Sequence, residues 1–177
     1  MKFRINLTEE DYIDYNIFAG MNNPNGKKAL MTGRLYMPIF LLVALIVIWI
    51  LKKDAMFVLF EGVFFAIVSI IWVAVYPKVY KGMIRKNILK LKKNGKLPFF
   101  ESEDFELTDE EIIGTTETEI RRCRYENLNK IDVTADCIYV WIDAARAWIF
   151  PTRELGARRA EVLNLLNSKA AEKIVVR

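Results

Sequence analysis

The groups in this chain that could do chemistry are carboxylates, lysines, arginines and two cysteines, because it contains no histidine. That removes both the side chain that titrates nearest neutrality and the commonest metal ligand. Cys123 and Cys137 have no second cysteine at ligand spacing, so they make no zinc site and are expected to be packed strand residues. Ser69, Ser102 and Ser168 lie in no nucleophile motif, and no glycine-rich phosphate loop is present. Seven carboxylates fall between Glu101 and Glu111, but without the alternation, turn glycine and closing Glu of a calcium loop. They fit a solvated turn beside an edge strand, or a segment folding back on nearby basic residues. No catalytic residue, metal or cofactor is assigned, and the chain is expected not to be an enzyme.

Three other sets are candidates for binding. The segment KVYKGMIRKNILKLKKNGK, Lys78 to Lys96, carries eight Lys/Arg and no acid. Within it Lys78, Lys81, Arg85, Lys86, Lys90, Lys92 and Lys93 are candidate contacts for anionic lipid headgroups, each worth about 1 kcal/mol at a charged surface. A role in topology and solubility is the alternative. Nucleic acid is not the expected partner, since the segment that follows is acidic and carries no base-reading module. Glu61 is the only charge inside two long apolar runs, which makes it a candidate for ion or proton handling or for pairing with a partner helix. Lys52 and Lys53 are close enough in sequence for a plain ion pair with it, and that pairing is expected. Arg121, Arg122 and Arg124 are a possible ligand patch for a phosphorylated or carboxylate partner, or else solvent-facing strand residues.

The elements that must carry these groups follow from hydrophobic patterning. Leu35 to Leu51 has no charge and Ala55 to Tyr76 has one, with Lys52-Lys53-Asp54 between them. At 1.5 Å per residue the runs are about 25 Å and about 33 Å long against a hydrocarbon core of about 30 Å, so two membrane spans are expected. Gly62, Ala66 and Ser69 form a small-residue stripe able to seat the first span or a second copy of the chain, leaving a homo-oligomer open. Basic residues flank the outer ends of the pair more than the turn, which places both termini in the cytoplasm.

Around this hairpin, residues 1–34 hold a strand alternating Phe3, Ile5 and Leu7 with polar residues. A short helix capped by Thr8 and Asp11 follows, and MNNPNGKK reads as a turn or loop. Residues 35–77 form the hairpin and 78–98 a basic juxtamembrane helix that continues through Pro77 and stops at Asn94-Gly95, with Pro98 reinforcing the break. From Phe99 the period changes to two: DFELT, EEIIGTT, TEIRRCRY, KIDVT, CIYVWI and RAWIFP predict short antiparallel strands, and ELGARRAEVLNLLNSKAAEK a closing helix. About eighty residues make a small core, so the N-terminal strand and helix are expected to join the C-terminal domain of residues 99–177.

This order of parts resembles the YcxB-like family of bacterial membrane proteins. The resemblance rests on Leu7-Thr8-Glu9-Glu10-Asp11-Tyr12, two adjacent spans, the strand-turn FELTDEEII, the segment RYENLNKIDVTADCIYVWID with Tyr125 and Leu128 at its start, and the strand ending Phe150-Pro151. It implies a membrane-anchored α+β protein: a two-span helical hairpin plus a small antiparallel β-rich, pleckstrin-homology-like cytosolic domain closed by a C-terminal helix. The expected location is the bacterial cell membrane, multi-pass, with both termini cytoplasmic. The expected function is a non-enzymatic binding or adaptor module for an unknown protein partner or small ligand at the inner face, with a subunit of a membrane transport complex as the alternative.

Overall fold

In the computed structural model, which describes residues 1–95 and 101–177, the chain forms two units. One comprises Met1–Asn16 with Lys96–Arg177, the other Ile17–Gly95. Lys96, Pro98 and the Phe99 boundary of the expected β domain lie outside the described residues.

The second unit is helical. Strand β1 (Lys2–Asn6) is followed by α1 (Glu9–Asn22), whose last turns belong here, then α2 (Pro24–Lys52) and α3 (Ala55–Lys93). The loop expected over Met21 to Lys28 is therefore corrected to a single break at Asn23. Pro24 occupies the first position of α2, where its missing N–H costs nothing and its fixed φ suits a helix, and Lys27 N–H donates to the Asn23 carbonyl at 2.8 Å. Both helices outrun the apolar segments that announced them. At the tight connection Lys53 adopts φ 53°, and Asp54 caps α3 by accepting from the N–H groups of Met56 and Phe57 at 3.0 and 3.1 Å. α3 continues through Pro77 and ends at Lys93, with Asn94 as its C-cap and Gly95 left-handed at φ 64°.

Facing stripes join α2 and α3. Gly62, Phe65, Ser69, Trp72 and Tyr76 are half-buried at three- and four-residue spacing on α3, as are Gly33, Met37, Leu41, Ala44, Leu45 and Ile48 on α2. Trp72 Nε1 donates to the Gly33 carbonyl at 3.1 Å, and a Cβ on Gly33 would overlap the Tyr76 ring. The remaining apolar side chains stand open: Phe60 is 79% exposed and Met56 76%. Both helices are long and apolar enough to cross a membrane by length and composition.

The first unit is β-rich. β2 (Ser102–Leu107), β3 (Glu111–Thr115) and β4 (Ile120–Arg124) join β1 in an antiparallel sheet of order β1-β2-β3-β4. β5 (Lys130–Val133), β6 (Cys137–Trp141) and β7 (Ala147–Pro151) form a second sheet, at whose edge Pro151 leaves no ladder bond unmade. The expected closing helix is broken into α4 (Thr152–Leu155) and α5 (Arg159–Ala170), with Gly156 at φ 52° between them. A further strand, β8 (Ile174–Val176), pairs parallel to β5. The second sheet is thus not wholly antiparallel; α5 supplies the long crossover that a parallel pair requires. Val162, Leu166 and Ala170 of α5 pack with Phe3, Ile5, Phe105, Ile112, Ile131, Val140 and Phe150 in one core.

β1 pairs β2 with Phe3 opposite Phe105 and Lys2 and Arg4 opposite Glu106 and Asp104. The two cross-strand ion pairs measure 3.2 Å each and are exposed, so they add little energy, but a one-residue slip would break both and turn Phe3 and Ile5 to solvent. Phe105 meets Phe150 edge-on at 4.7 Å and stacks on Phe3 at 5.8 Å. Phe105→Ala is expected to cost about 3 to 5 kcal/mol through the cavity it leaves, read as a fall in unfolding free energy by urea titration in detergent with tryptophan fluorescence.

Candidate functional site

β2 places Glu103, Phe105 and Leu107 on its buried face, so a carboxylate occupies a position of the kind its neighbours fill with apolar side chains. Glu103 is 5% exposed. Its Oε2 accepts from Arg121 Nη2 at 2.7 Å and its Oε1 from the Trp148 indole N–H at 3.1 Å. Arg121 reaches it from β4, two strands away, because Gly114 stands opposite it on the intervening β3. A Cβ on Gly114 would overlap the Glu103 carboxylate and come within 2.8 Å of Trp148 Nε1, so only glycine leaves that path open. Arg121 Nε also lies 3.2 Å from Glu119 Oε1, and one guanidinium therefore serves two carboxylates.

These side chains form the floor of a cleft of about 460 Å³. α1 supplies Tyr12, Tyr15 and Asn16 to its wall, and the turn before β7 supplies Ala145 and Arg146. α1 is held there at both ends of its first two turns. Thr8 and Asp11 cap each other, the Asp11 carboxylate accepts a two-pronged contact from Arg153, and the Tyr15 hydroxyl donates to the Ala145 carbonyl at 2.8 Å. Burial pushes the Tyr15 phenol up to about 12, so it stays protonated and donating at neutral pH.

A second buried carboxylate provides a comparison. Asp132 on β5 is fully buried and accepts from Trp141 Nε1 at 2.8 Å, Lys130 Nζ at 2.8 Å and Arg177 Nε at 2.6 Å. Burial opposes its ionisation, but the hydrogen bonds of two cations outweigh that and hold the carboxyl below its usual value. For Glu103 the balance reverses: burial raises its affinity for a proton by more than Arg121 and Trp148 lower it.

The expected site residues are distributed differently. Arg121, Arg122 and Arg124 do not form one patch, because alternation along β4 turns Arg121 inward and leaves Arg122 and Arg124 exposed beside Glu111 and Glu126. Lys78, Lys81, Arg85, Lys86, Lys90, Lys92 and Lys93 are all exposed on the last part of α3, while Tyr80, Ile84 and Ile88 are turned inward. Glu61 makes no ion pair with Lys52 or Lys53 among the described residues; half-buried beside Gly62 on the stripe toward α2, it is two turns from the connection that holds the lysines. The acidic run does not flank an edge, since β2 is an interior strand. Asp104, Glu106 and Asp109 pair with Arg4, Lys2 and Lys169 within the same unit. Sequence pattern singles out neither Glu103 nor Asp132: Glu103 breaks into the face of Phe105 and Leu107, a readable signal, whereas Asp132 shares its face with Lys130 and Thr134 and reads as solvent-facing.

Opposite pKa directions give opposite pH dependence. Asp132 contributes stability that is present above the unfolded value of about 3.9 and lost as pH falls through its lower folded value. Glu103 contributes stability that is complete below about 4.3 and lost as pH rises through its higher folded value. Asp132→Asn is therefore expected to cost about 3 to 5 kcal/mol near neutrality and less in acid, while Glu103→Gln costs less near neutrality than in acid. Urea unfolding of each variant at about pH 4 and about pH 7 checks both signs. Gly114→Ala is expected to cost about 1 to 3 kcal/mol by overpacking, measured in the same titration. No family model, no curated protein and no solved structure matches this chain.

Proposed function

We propose that the chain is a non-enzymatic, membrane-anchored binding or adaptor module. α2 and α3 form the anchor, and the unit of two sheets engages a partner at the inner face of a bacterial membrane. The observation that carries this reading is the exposure of the apolar segments of both helices, none of which is buried. A continuous band including Leu51, Met56, Phe60 and Ile70 far exceeds the few hundred Å² of apolar patch that a water-soluble monomer tolerates, and hydrocarbon is the solvent that fits it. A signal sequence or the core helix of a soluble protein accounts less well for two such helices joined by two residues.

Helix length supports an inward-facing basic segment. At 1.5 Å per residue α3 is about 58 Å long, roughly twice the hydrocarbon thickness. With Ala55 to Tyr76 in the membrane, the remainder carries Lys78 to Lys93 into the headgroup region and beyond, on the side where positive charge is retained. Anionic phospholipid is the partner this face suits. We read the two four-stranded sheets, with α5 packed on their shared core, as a pleckstrin-homology-like roll.

Glu61 favours a second reading, a subunit of a transport complex acting through the hairpin. It is a half-buried carboxylate in an apolar seam with no ion pair among the described residues.

Alkaline carbonate washing of membranes is expected to leave the full chain in the pellet, and its release would end the anchoring proposal. Replacing all seven basic residues from Lys78 to Lys93 by Gln is expected to lower the anionic phospholipid that copurifies in mild detergent, as counted by native mass spectrometry. Capture of a crosslinked partner distinguishes the two readings: the adaptor keeps it in Glu61→Gln, whereas the transport subunit loses it.

A further inference from the structure

We infer that the inner end of the helical hairpin holds one anionic phospholipid, its phosphate beside Lys28 and one acyl chain lying along α2. This site is separate from the basic face of α3. It rests on the reading of α2 and α3 as a membrane anchor and names the lipid which that anchor selects.

Two adjoining grooves form it. The first, of about 590 Å³, is lined by Asn25, Lys28, Thr32 and Tyr36 of α2 and by Trp72 and Tyr76 of α3. The second, of about 500 Å³, follows α2 past Leu35, Ile39, Phe40 and Val43, and the two share Thr32 and Tyr36. Val43 is the midpoint of the uncharged run Leu35 to Leu51. The apolar groove therefore reaches from the inner boundary of the hydrocarbon to its centre. Thr32 to Val43 rises about 16 Å, against about 15 Å for half a hydrocarbon core, which is the depth of one leaflet's acyl chain.

Gly33 shapes the back wall at the polar end. A Cβ there would overlap the Tyr76 hydroxyl, and the Gly33 carbonyl accepts from the Trp72 indole N–H at 3.1 Å. The two rings are thereby seated against α2 with the indole donor already engaged. The Asn25 amide and the hydroxyls of Thr32, Tyr36 and Tyr76 have no hydrogen-bond partner among the described residues. At headgroup depth such groups are matched by the phosphate and ester oxygens of a lipid, and tyrosine is a residue suited to that level.

Charge selects the headgroup. Lys28 is the one charged residue lining either groove, and it makes no ion pair among the described residues. Lys27 and Arg34 accompany it on α2, also without ion pairs there, and Arg34 Nε is shut off from water with no hydrogen-bond partner. From Tyr15 to Gly95 the only acids are Asp54 and Glu61, both toward the opposite end of the hairpin. A headgroup ammonium would find no carboxylate at the site, whereas a phosphate meets Lys28 in a positive surrounding.

The test is native mass spectrometry of the full chain released from nanodiscs holding equal amounts of phosphatidylglycerol and phosphatidylethanolamine. One phosphatidylglycerol is expected to stay bound at collision energies that strip all other lipid. Lys28→Gln should lower the ratio of lipid-bound to lipid-free chain about tenfold or more, the loss of one charged hydrogen bond. Tyr36→Ala should lower it too. Both side chains are exposed, so each variant keeps the fold. Replacing the seven basic residues from Lys78 to Lys93 by Gln should shed loosely held lipid and keep this molecule. The site is overturned if no lipid is retained, if both phospholipids are retained equally, or if Lys28→Gln leaves the ratio unchanged. A lipid-free dimer overturns it as well, by giving the groove to a second copy of the chain. Should carbonate washing release the chain, the anchor fails and the site with it; a chain that stays in the pellet but retains no lipid loses the site alone.

Discussion

Most of the β-rich unit depends on one pairing, that of β1 with β2. These strands are separated by about a hundred residues, and everything in Ile17–Gly95 lies between them. The entropy of closing so long a loop rises only with the logarithm of its length, so burial of a few large side chains offsets it. Phe3 supplies one, against Phe105 and Phe150, and Ile5 is fully buried beside it. The pairing makes β2 an interior strand, which is what allows a carboxylate on it to be buried. It also fixes where α1 starts. With Asn6 held by Glu154 and Arg153, the chain turns at Thr8 and α1 lies on the outer face of the second sheet, where Tyr15 meets Tyr139 and Trp141 at 5.9 and 5.7 Å. That coverage explains why β6 is buried at all five positions although it borders only one core.

The two buried carboxylates show how the same chemistry serves different ends. Asp132 joins three elements: Lys130 on its own strand, Trp141 on β6 and Arg177 just beyond β8. Every oxygen is occupied by a charged or indole donor, and the group is closed off from water. Its arrangement is that of a rivet, worth having because removing one part strands the others. Glu103 also accepts from an indole, but the one cation it pairs with among the described residues, Arg121, lies against Glu119 as well, and its surroundings include a cleft. A carboxylate whose ionised form is incompletely satisfied is costly to keep and responsive to whatever approaches it.

Sequence pattern made some of this legible and hid the rest for physical reasons. Alternation located β2 to β4 within a residue or two, because each turns its more buried side chains to one face, while β5 to β7, buried on both faces, were located by their β-branched and aromatic runs between short turns. The apolar runs located α2 and α3, but not their ends. Helix continuation past Tyr76 depends on capping and packing, and a proline at the first position of α2 resembles a turn signal when read alone. Ile174–Val176 escaped notice because a three-residue strand has almost no periodicity, and its parallel pairing depends on where α5 delivers the chain. Arg121, Arg122 and Arg124 read as one patch by adjacency in sequence, but strand alternation divides them. Glu103 is one of seven acids in the run from Glu101 to Glu111; only the registry of Phe105 and Leu107 sets it apart, and that registry is present in the sequence.

The hairpin carries its own constraint at Pro77. Proline removes a backbone donor and crowds the preceding turn, so a helix of 39 residues would be expected to bend or stop there. Trp72, Tyr76 and Tyr80 lie on one face across that point, with ring centres 5.3 and 6.2 Å apart, and Trp72 and Tyr76 grip α2 where Gly33 lets them approach. Their packing bridges the turn that lacks a hydrogen bond. Because α3 therefore persists to Lys93, the direction of its basic residues is set by helical phase rather than by a flexible joint. Tyr80, Ile84 and Ile88 recur every four residues on the inner side, and the seven cations around them are exposed. A glycine on one helix and an aromatic ladder on the other thus decide where positive charge is displayed, several turns beyond either of them.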